Sequence, residues 1–142
     1  MGELRIERHY AVTPERLFAL LTQTENLLKW WGPEGTSVAE HSLDLTQTGP
    51  WNFVLLDPHG GRHRMSGEVR AVDSPRSVEF TLIVHEPEDD PSINSTVRFE
   101  VRPDGAGGSH FVLTQTGLTD EMIMIGSTRG WTSTFARLER LF

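Results

Sequence analysis

Apolar and polar positions alternate with a period of two over most of this chain, and the period lengthens to a helical one only near its two ends. Residues 3–10 open it: Leu4, Ile6 and Tyr10 fall on one face, with Glu3, Arg5, Glu7 and His9 on the other, as in a strand with one wet side. Thr13-Pro14 then reads as a helix start, because Thr can cap and a proline at the first helical position gives up an N–H that would be unpaired anyway. Leu17, Phe18, Leu20 and Leu21 make that helix short and apolar. Thr24 is expected to cap a second helix running from Glu25 to Trp31, which Gly32-Pro33 stops.

From 36 to 116 the pattern predicts strands at 36–45, 50–56, 62–72, 77–85, 93–102 and 109–116. Turn signals separate them: Gly49-Pro50, Pro58-His59-Gly60-Gly61, Ser74-Pro75, the acidic stretch Glu86 to Pro91, and Pro103 to Gly108. Trp51/Phe53/Leu55, Val78/Phe80/Leu82/Val84, Val97/Phe99/Val101 and Phe111/Leu113 would each line one face, while Glu79, Thr81, Arg98, Glu100, Arg102 and Thr114 would meet water on the other. Successive strands with short turns make an antiparallel meander rather than βαβ units. After Thr119 the chain turns helical to its end. Met124, Trp131, Phe135, Leu138 and Phe142 share a narrow sector, with Arg129, Arg137 and Arg140 away from it. Met122 to Ile125 is apolar all round and needs cover on more than one side. Gly126 and Gly130 leave one flank of the helix bare.

Composition narrows what such a domain can do. The 142 residues contain no cysteine, which excludes disulfides and zinc–thiolate sites. The net charge of −7 argues against a nucleic-acid partner, whose phosphates are met by Lys and Arg. The acidic stretch at 86–91 reads as a solvated hairpin tip. The N-terminus alternates charge and shows no apolar core of a signal peptide, and no apolar run is long enough to span a membrane, so a cytoplasmic location is expected. No P-loop, G-x-S-x-G elbow or H-E-x-x-H occurs, and the histidines are scattered, so neither a metal nor another cofactor is expected.

Five motifs, taken together and in order, resemble a known family. They are Ile6 to Tyr10 with Thr13 to Phe18, Trp30-Trp31-Gly32-Pro33, Gly49-Pro50-Trp51-Asn52-Phe53, Gly67-Glu68-Val69, and Gly130-Trp131 with Leu138. The third stands where the family usually has Gly-Gly-x-Trp/Tyr, here with Pro50 and a shifted spacing. The chain resembles the activator of heat-shock protein 90 ATPase homologues, within the START-like (SRPBCC) superfamily. That resemblance implies an α+β helix-grip fold filling residues 1–142 as one domain. Its curved antiparallel sheet would have about seven strands, with two short helices after the first and a long C-terminal helix packed across it. The family's members include small cochaperone domains and proteins that bind apolar or polyketide-like molecules. The cochaperone action of the eukaryotic proteins also uses a separate N-terminal domain.

In a helix-grip fold, ligands bind between the concave sheet and the long helix. Strand parity then nominates inward positions. The apolar ones are Tyr10, Trp51, Phe53, Met65, Phe80, Phe99 and Phe111, joined from the helix by Trp131 and Phe135. The polar ones are more informative, since a buried polar group needs a partner. Arg8 shares a face with Ile6 and Tyr10, His41 with Leu43 and Leu45, and His63 with Met65 and Val69. Ser127 and Thr128 lie near the helix stripe. Such a mix is the usual make-up of a small-molecule site. Of Trp30 and Trp31, which point about 100° apart on a helix, one is expected to be buried and the other partly exposed near the entrance. Three readings stand open: a carrier or binding domain for a small apolar or aromatic molecule, a cavity enzyme of cyclase or hydrolase type using Arg8 and the histidines, and a module that docks on a chaperone or other protein.

Overall fold

The chain adopts the α+β arrangement expected of it, in a computed structural model that describes residues 2–85, 93–118 and 121–142. Strand β1 (Gly2–Tyr10) leads to helices α1 (Pro14–Thr22) and α2 (Thr24–Trp30). A meander follows: β2 (Ser37–His41), β3 (Gly49–Leu56), β4 (Arg62–Asp73), β5 (Ser77–Val84), β6 (Ile93–Pro103) and β7 (Ser109–Leu118). Helix α3 (Glu121–Glu139) closes the chain. The seven strands form one antiparallel sheet in the order β1-β7-β6-β5-β4-β3-β2, so α1 and α2 carry the chain from one sheet edge to the other. The acidic stretch at 86–91, read above as a hairpin tip, lies outside the described residues, as do the side chains of Met122 and Ile123.

Alternation decides which side is buried. The inward faces of β3, β5, β6 and β7 set Trp51, Phe53, Phe80, Phe99 and Phe111 under α3, and Trp131, Phe135 and Leu138 of the helix close over them, all buried. Trp31 sits among these rings, 5.5 Å from Phe53, 6.0 Å from Trp51 and 6.1 Å from Trp131 between centroids, mostly edge to face. Glycine at position 67 lets Trp51 pass beneath β4. A Cβ there would stand 1.9 Å from the Thr81 carbonyl oxygen, the same oxygen that accepts the Trp51 indole N–H at 3.2 Å. The Thr81 hydroxyl in turn accepts from Glu68 N at 2.8 Å, so side chains satisfy main-chain groups at that point of the β4–β5 ladder.

Several local expectations need correction. The strand expected at 36–45 ends at His41. Beyond it Leu43 and Leu45 turn away from the sheet and are buried against the helices, with Leu45 N donating to Thr22 O at 3.0 Å and the Thr24 hydroxyl to Leu43 O. Thr24 is therefore the first residue of α2, not its cap, because its hydroxyl is engaged with that returning segment. Helix α3 stops at Glu139, and Phe142 lies beyond it, 44% exposed, with its ring edge against Tyr10. Ile125 is 40% exposed, so the apolar first turn of α3 is not covered at that position.

Candidate functional site

Where α3 crosses the sheet at the level of Ser127, the packing between them is incomplete. A cavity of ≈ 150 Å³ remains there. Strand alternation supplies one wall: Phe53 and Leu55 of β3, Met65 of β4, Leu82 and Val84 of β5, and Gln115 of β7. Helical spacing supplies another, with Ser127, Gly130, Trp131 and Thr134 at successive inward turns of α3. The segment after α2 adds Trp31, Gly32 and Pro33 to the walls of a space that stays partly open to solvent. Gly130 keeps its part of the wall open: a Cβ built there would meet no atom within 4 Å.

The third wall is held by α3 itself. Arg137 points its guanidinium at main-chain carbonyls, donating through Nη1 to Trp31 O and Gly32 O at 3.0 Å each, and to Pro33 O and Thr36 O at 3.4 Å. Ser133 Oγ accepts from Glu34 N at 2.9 Å, and Arg140 pairs with the Glu34 carboxylate. A cation near the end of one helix thus satisfies the free carbonyls at the end of another. The pattern that set Arg137 apart from the apolar stripe was right, but its role is to fasten the wall rather than to face solvent.

One buried polar chain runs beside the cavity. The Trp131 indole N–H donates to Gln115 Oε1 at 2.8 Å, Gln115 Nε2 donates to Ser95 Oγ at 2.9 Å, and Ser95 Oγ donates to Leu82 O at 3.0 Å. Gln115 is only 2% exposed. Thr134 gives its hydroxyl hydrogen to Gly130 O at 2.8 Å. Ser127 Oγ has no hydrogen-bond partner among the described residues. The lining contains no Asp, Glu, His, Lys, Arg or Tyr among the described residues.

Of the positions nominated from sequence, the cavity brings together Phe53, Met65, Ser127 and Trp131. Trp51, Phe80, Phe99, Phe111 and Phe135 lie behind them as core. Thr128 returns its hydroxyl to Met124 O at 2.9 Å. Tyr10 is buried at the far end of α3, where its hydroxyl donates to Glu139 Oε2 at 2.8 Å; burial first, then that carboxylate, push its phenol pKa well upward. Arg8 does share the inner face, yet its guanidinium folds back to Glu7 O at 2.9 Å and it does not line the cavity. His41 is exposed, because the strand that would have turned it inward ends there. Trp30 and Trp31 are both buried, at 0% and 3%, against the expectation that one would be exposed. The Trp30 indole N–H donates to Leu20 O at 2.7 Å, and Trp31 forms cavity wall. Two residues that matter here went unnominated. Gln115 follows Phe111 and Leu113 at strict alternation, so parity alone could have found it. Arg137 carries no such signal, since its acceptors are main-chain atoms distant in sequence.

His63 lies opposite Leu55 in the β3–β4 register, at the end of its strand, and belongs to a different device. Its Nε2 is 2.7 Å from Asp57 Oδ2, while Asp57 Oδ1 accepts from His59 N and Gly61 N at 2.8 Å each. The β6–β7 turn repeats the design: Asp104 Oδ2 meets His9 Nε2 at 2.5 Å, and Oδ1 accepts from Ala106 N and Gly108 N at 2.7 and 2.9 Å. The histidine contact first, then the turn amides, lower each aspartate's pKa to about 2. Two other hollows, of ≈ 410 Å³ beside α1 and ≈ 390 Å³ near Arg98, are larger but have fewer apolar walls. The second is bounded by charges already paired, Arg98 with Glu79 and Glu100 and Arg76 with Asp73, so we regard the smaller, apolar cavity as the candidate site. Among the described residues no group of acidic and histidine side chains could hold a metal ion, and no helix is long and apolar enough to cross a membrane.

Comparison with known proteins places these features in context. The family model for activator of Hsp90 ATPase homolog 1-like protein matches residues 11–142. The crystal structure of an AHSA1 protein from Silicibacter pomeroyi is 40% identical, covers 96% of this chain and 94% of its own, and superposes with a TM-score of 0.88. A protein from Chromobacterium violaceum, 20% identical over 99% of this chain and 97% of its own, has a TM-score of 0.81. One from Nitrosomonas europaea, 24% identical over 98% and 92%, has a TM-score of 0.80. These last two share the fold. No curated protein matches the chain.

Proposed function

The chain belongs to the activator of Hsp90 ATPase homolog 1-like family, and on that footing we propose that it binds a small hydrophobic or aromatic molecule in the cavity under α3, as a carrier or sensor of that molecule. One observation supports this above the others. In a core built of aromatic rings in mutual contact, space for a further ring is left at Gly130 and walled by Trp31, Phe53 and Trp131. Apolar side chains rarely leave such a gap between them, because its lining forfeits dispersion contacts. A ligand restores those contacts. A cavity of about this volume with apolar walls takes up benzene in another protein.

The polar groups at the cavity favour recognition over acid–base chemistry. Ser127 and Gln115 can form hydrogen bonds, but no titratable group of the described residues lines the space, and His41 and His63 are directed to other tasks. Native mass spectrometry of the protein purified from its own host, followed by release and identification of any retained molecule, tests the reading. A stoichiometric apolar or aromatic species is expected. A protein that carries none, and whose unfolding temperature no single-ring compound raises, would contradict it.

A further inference from the structure

The hydrogen-bonding groups left over at the cavity define its ligand more narrowly than volume does. Resting on the reading that this cavity takes a ring-sized molecule, we propose that the molecule is an uncharged monocyclic phenol, with its hydroxyl paired to Gln115 and Ser127.

The partners of Gln115 fix which of its amide atoms is which. An indole N–H can only donate, so the atom that Trp131 Nε1 meets at 2.8 Å is the amide oxygen. At the other end Ser95 gives its own hydrogen to Leu82 O, so its oxygen accepts from Gln115 Nε2. The amide is thereby held in one orientation by groups that cannot exchange roles. A primary amide offers two N–H donors and two oxygen lone pairs. These contacts use one of each, leaving one N–H and one lone pair on a side chain that is nearly inaccessible to water and lines the cavity. Ser127 adds a hydroxyl without a partner among the described residues. A ligand suited to these groups both donates and accepts within a small space, as a single hydroxyl does. Hydrocarbon would leave the spare amide hydrogen without an acceptor in a place poor in water.

Charge narrows the class further. Arg137, which holds the neighbouring wall, directs its guanidinium at main-chain carbonyls and does not line the space. Among the described residues no cation lines it to receive a carboxylate, and no anion to receive an ammonium. A charged ligand would therefore lose its hydration without a partner, which is far more costly than desolvating a hydroxyl. Size limits the rest. A space of ≈ 150 Å³ accommodates one six-membered ring with a small substituent, and the indoles of Trp31 and Trp131 and the ring of Phe53 offer aromatic walls to it.

Isothermal titration with phenol, benzene and benzoate at neutral pH tests the proposal on the wild-type chain, Ser127→Ala and Gly130→Leu. Ser127→Ala removes a hydroxyl that bonds to no other described residue, and Gly130→Leu fills the cavity from the helix side. Phenol should bind about tenfold more tightly than benzene, the worth of one net hydrogen bond, and benzoate more weakly than either. Ser127→Ala should weaken phenol several-fold and leave benzene unchanged, and Gly130→Leu should abolish both. Equal affinity for benzene and phenol, or tighter binding of benzoate, would overturn the phenol assignment while leaving the cavity as a binding site. Phenol binding that survives Gly130→Leu would place the ligand elsewhere and overturn it too. If neither benzene nor phenol binds, the cavity reading and the assignment fall together.

Discussion

Replacing Gly130 by alanine should make the protein more stable, although the residue lines the inner side of a helix that packs on the sheet. Glycine inside a helix is worth about 0.5–1 kcal/mol less than alanine, because it loses more backbone freedom on folding. That loss is usually imposed by a close neighbour. Here there is none: a Cβ at Gly130 meets no atom within 4 Å, and the same holds at Gly126 one turn earlier. Both substitutions should thus raise stability by about 0.5–1 kcal/mol, or roughly 2–4 °C in Tm per kcal/mol for a chain near this size. Gly67→Ala is the counterpart. Its Cβ would overlap the Thr81 carbonyl oxygen at 1.9 Å and displace Trp51 Nε1 from its acceptor, so it should be strongly destabilising. Urea unfolding followed by tryptophan fluorescence distinguishes the cases, with an unchanged m-value confirming that the midpoint shift is a stability change. If Gly130→Ala lowered the midpoint instead, the glycine would be needed for packing and the space in front of it would not exist. The gain is expected without ligand. With ligand bound, Gly130→Ala should lose part of it and Gly126→Ala, which does not line the cavity, should not.

Three further outcomes follow from the same geometry. Trp131→Phe keeps a ring in the core but strands Gln115 Oε1 without its donor, and should cost about 1–3 kcal/mol by urea unfolding. Arg137→Met should leave the sheet intact while amides of residues 31–36 exchange faster with deuterium, because four carbonyls of that segment lose their common donor. Asp57 and Asp104 have folded pKa values of about 2, below the unfolded value of about 3.9, so their contribution to stability is fully present above pH 4 and is lost as pH falls toward 2. Asp57→Asn with Asp104→Asn should flatten the pH dependence of the unfolding midpoint in that window, and an unaltered profile would show that neither turn contributes to it.

Period-two alternation made the sheet legible because every inward residue of β3, β5, β6 and β7 reports the same buried face. Five of the nominated aromatics accordingly lie in the core behind the cavity. The site itself was only partly legible. Phe53, Met65, Ser127 and Trp131 reach it by parity, but parity does not say where packing fails, and that depends on how far α3 stands from the sheet. His41 misled because Leu43 and Leu45 continue the alternation after the strand has ended, their burial coming from α1 and α2 instead. Arg8 shows a different limit: the inner face of β1 near its end lies at the Tyr10–Glu139 side of the helix, away from the opening at Ser127. The expected exposure of one tryptophan failed because Trp31 is the C-cap of α2, with an extended backbone (φ −66°, ψ 130°), so the 100° helical offset from Trp30 does not apply to it.

A ring-sized ligand that enters between α3 and the sheet should register in the four tryptophan indole N–H resonances. Trp31 and Trp131 line the cavity, whereas the N–H groups of Trp30 and Trp51 are bonded to Leu20 O and Thr81 O in the core behind it. In a nitrogen–proton correlation spectrum of the labelled protein titrated with phenol, the Trp31 and Trp131 signals should shift in saturable fashion with one common Kd, while those of Trp30 and Trp51 move far less. Four indole signals that stay in place at saturating phenol, or a response led by Trp30, would exclude a ligand between α3 and the sheet.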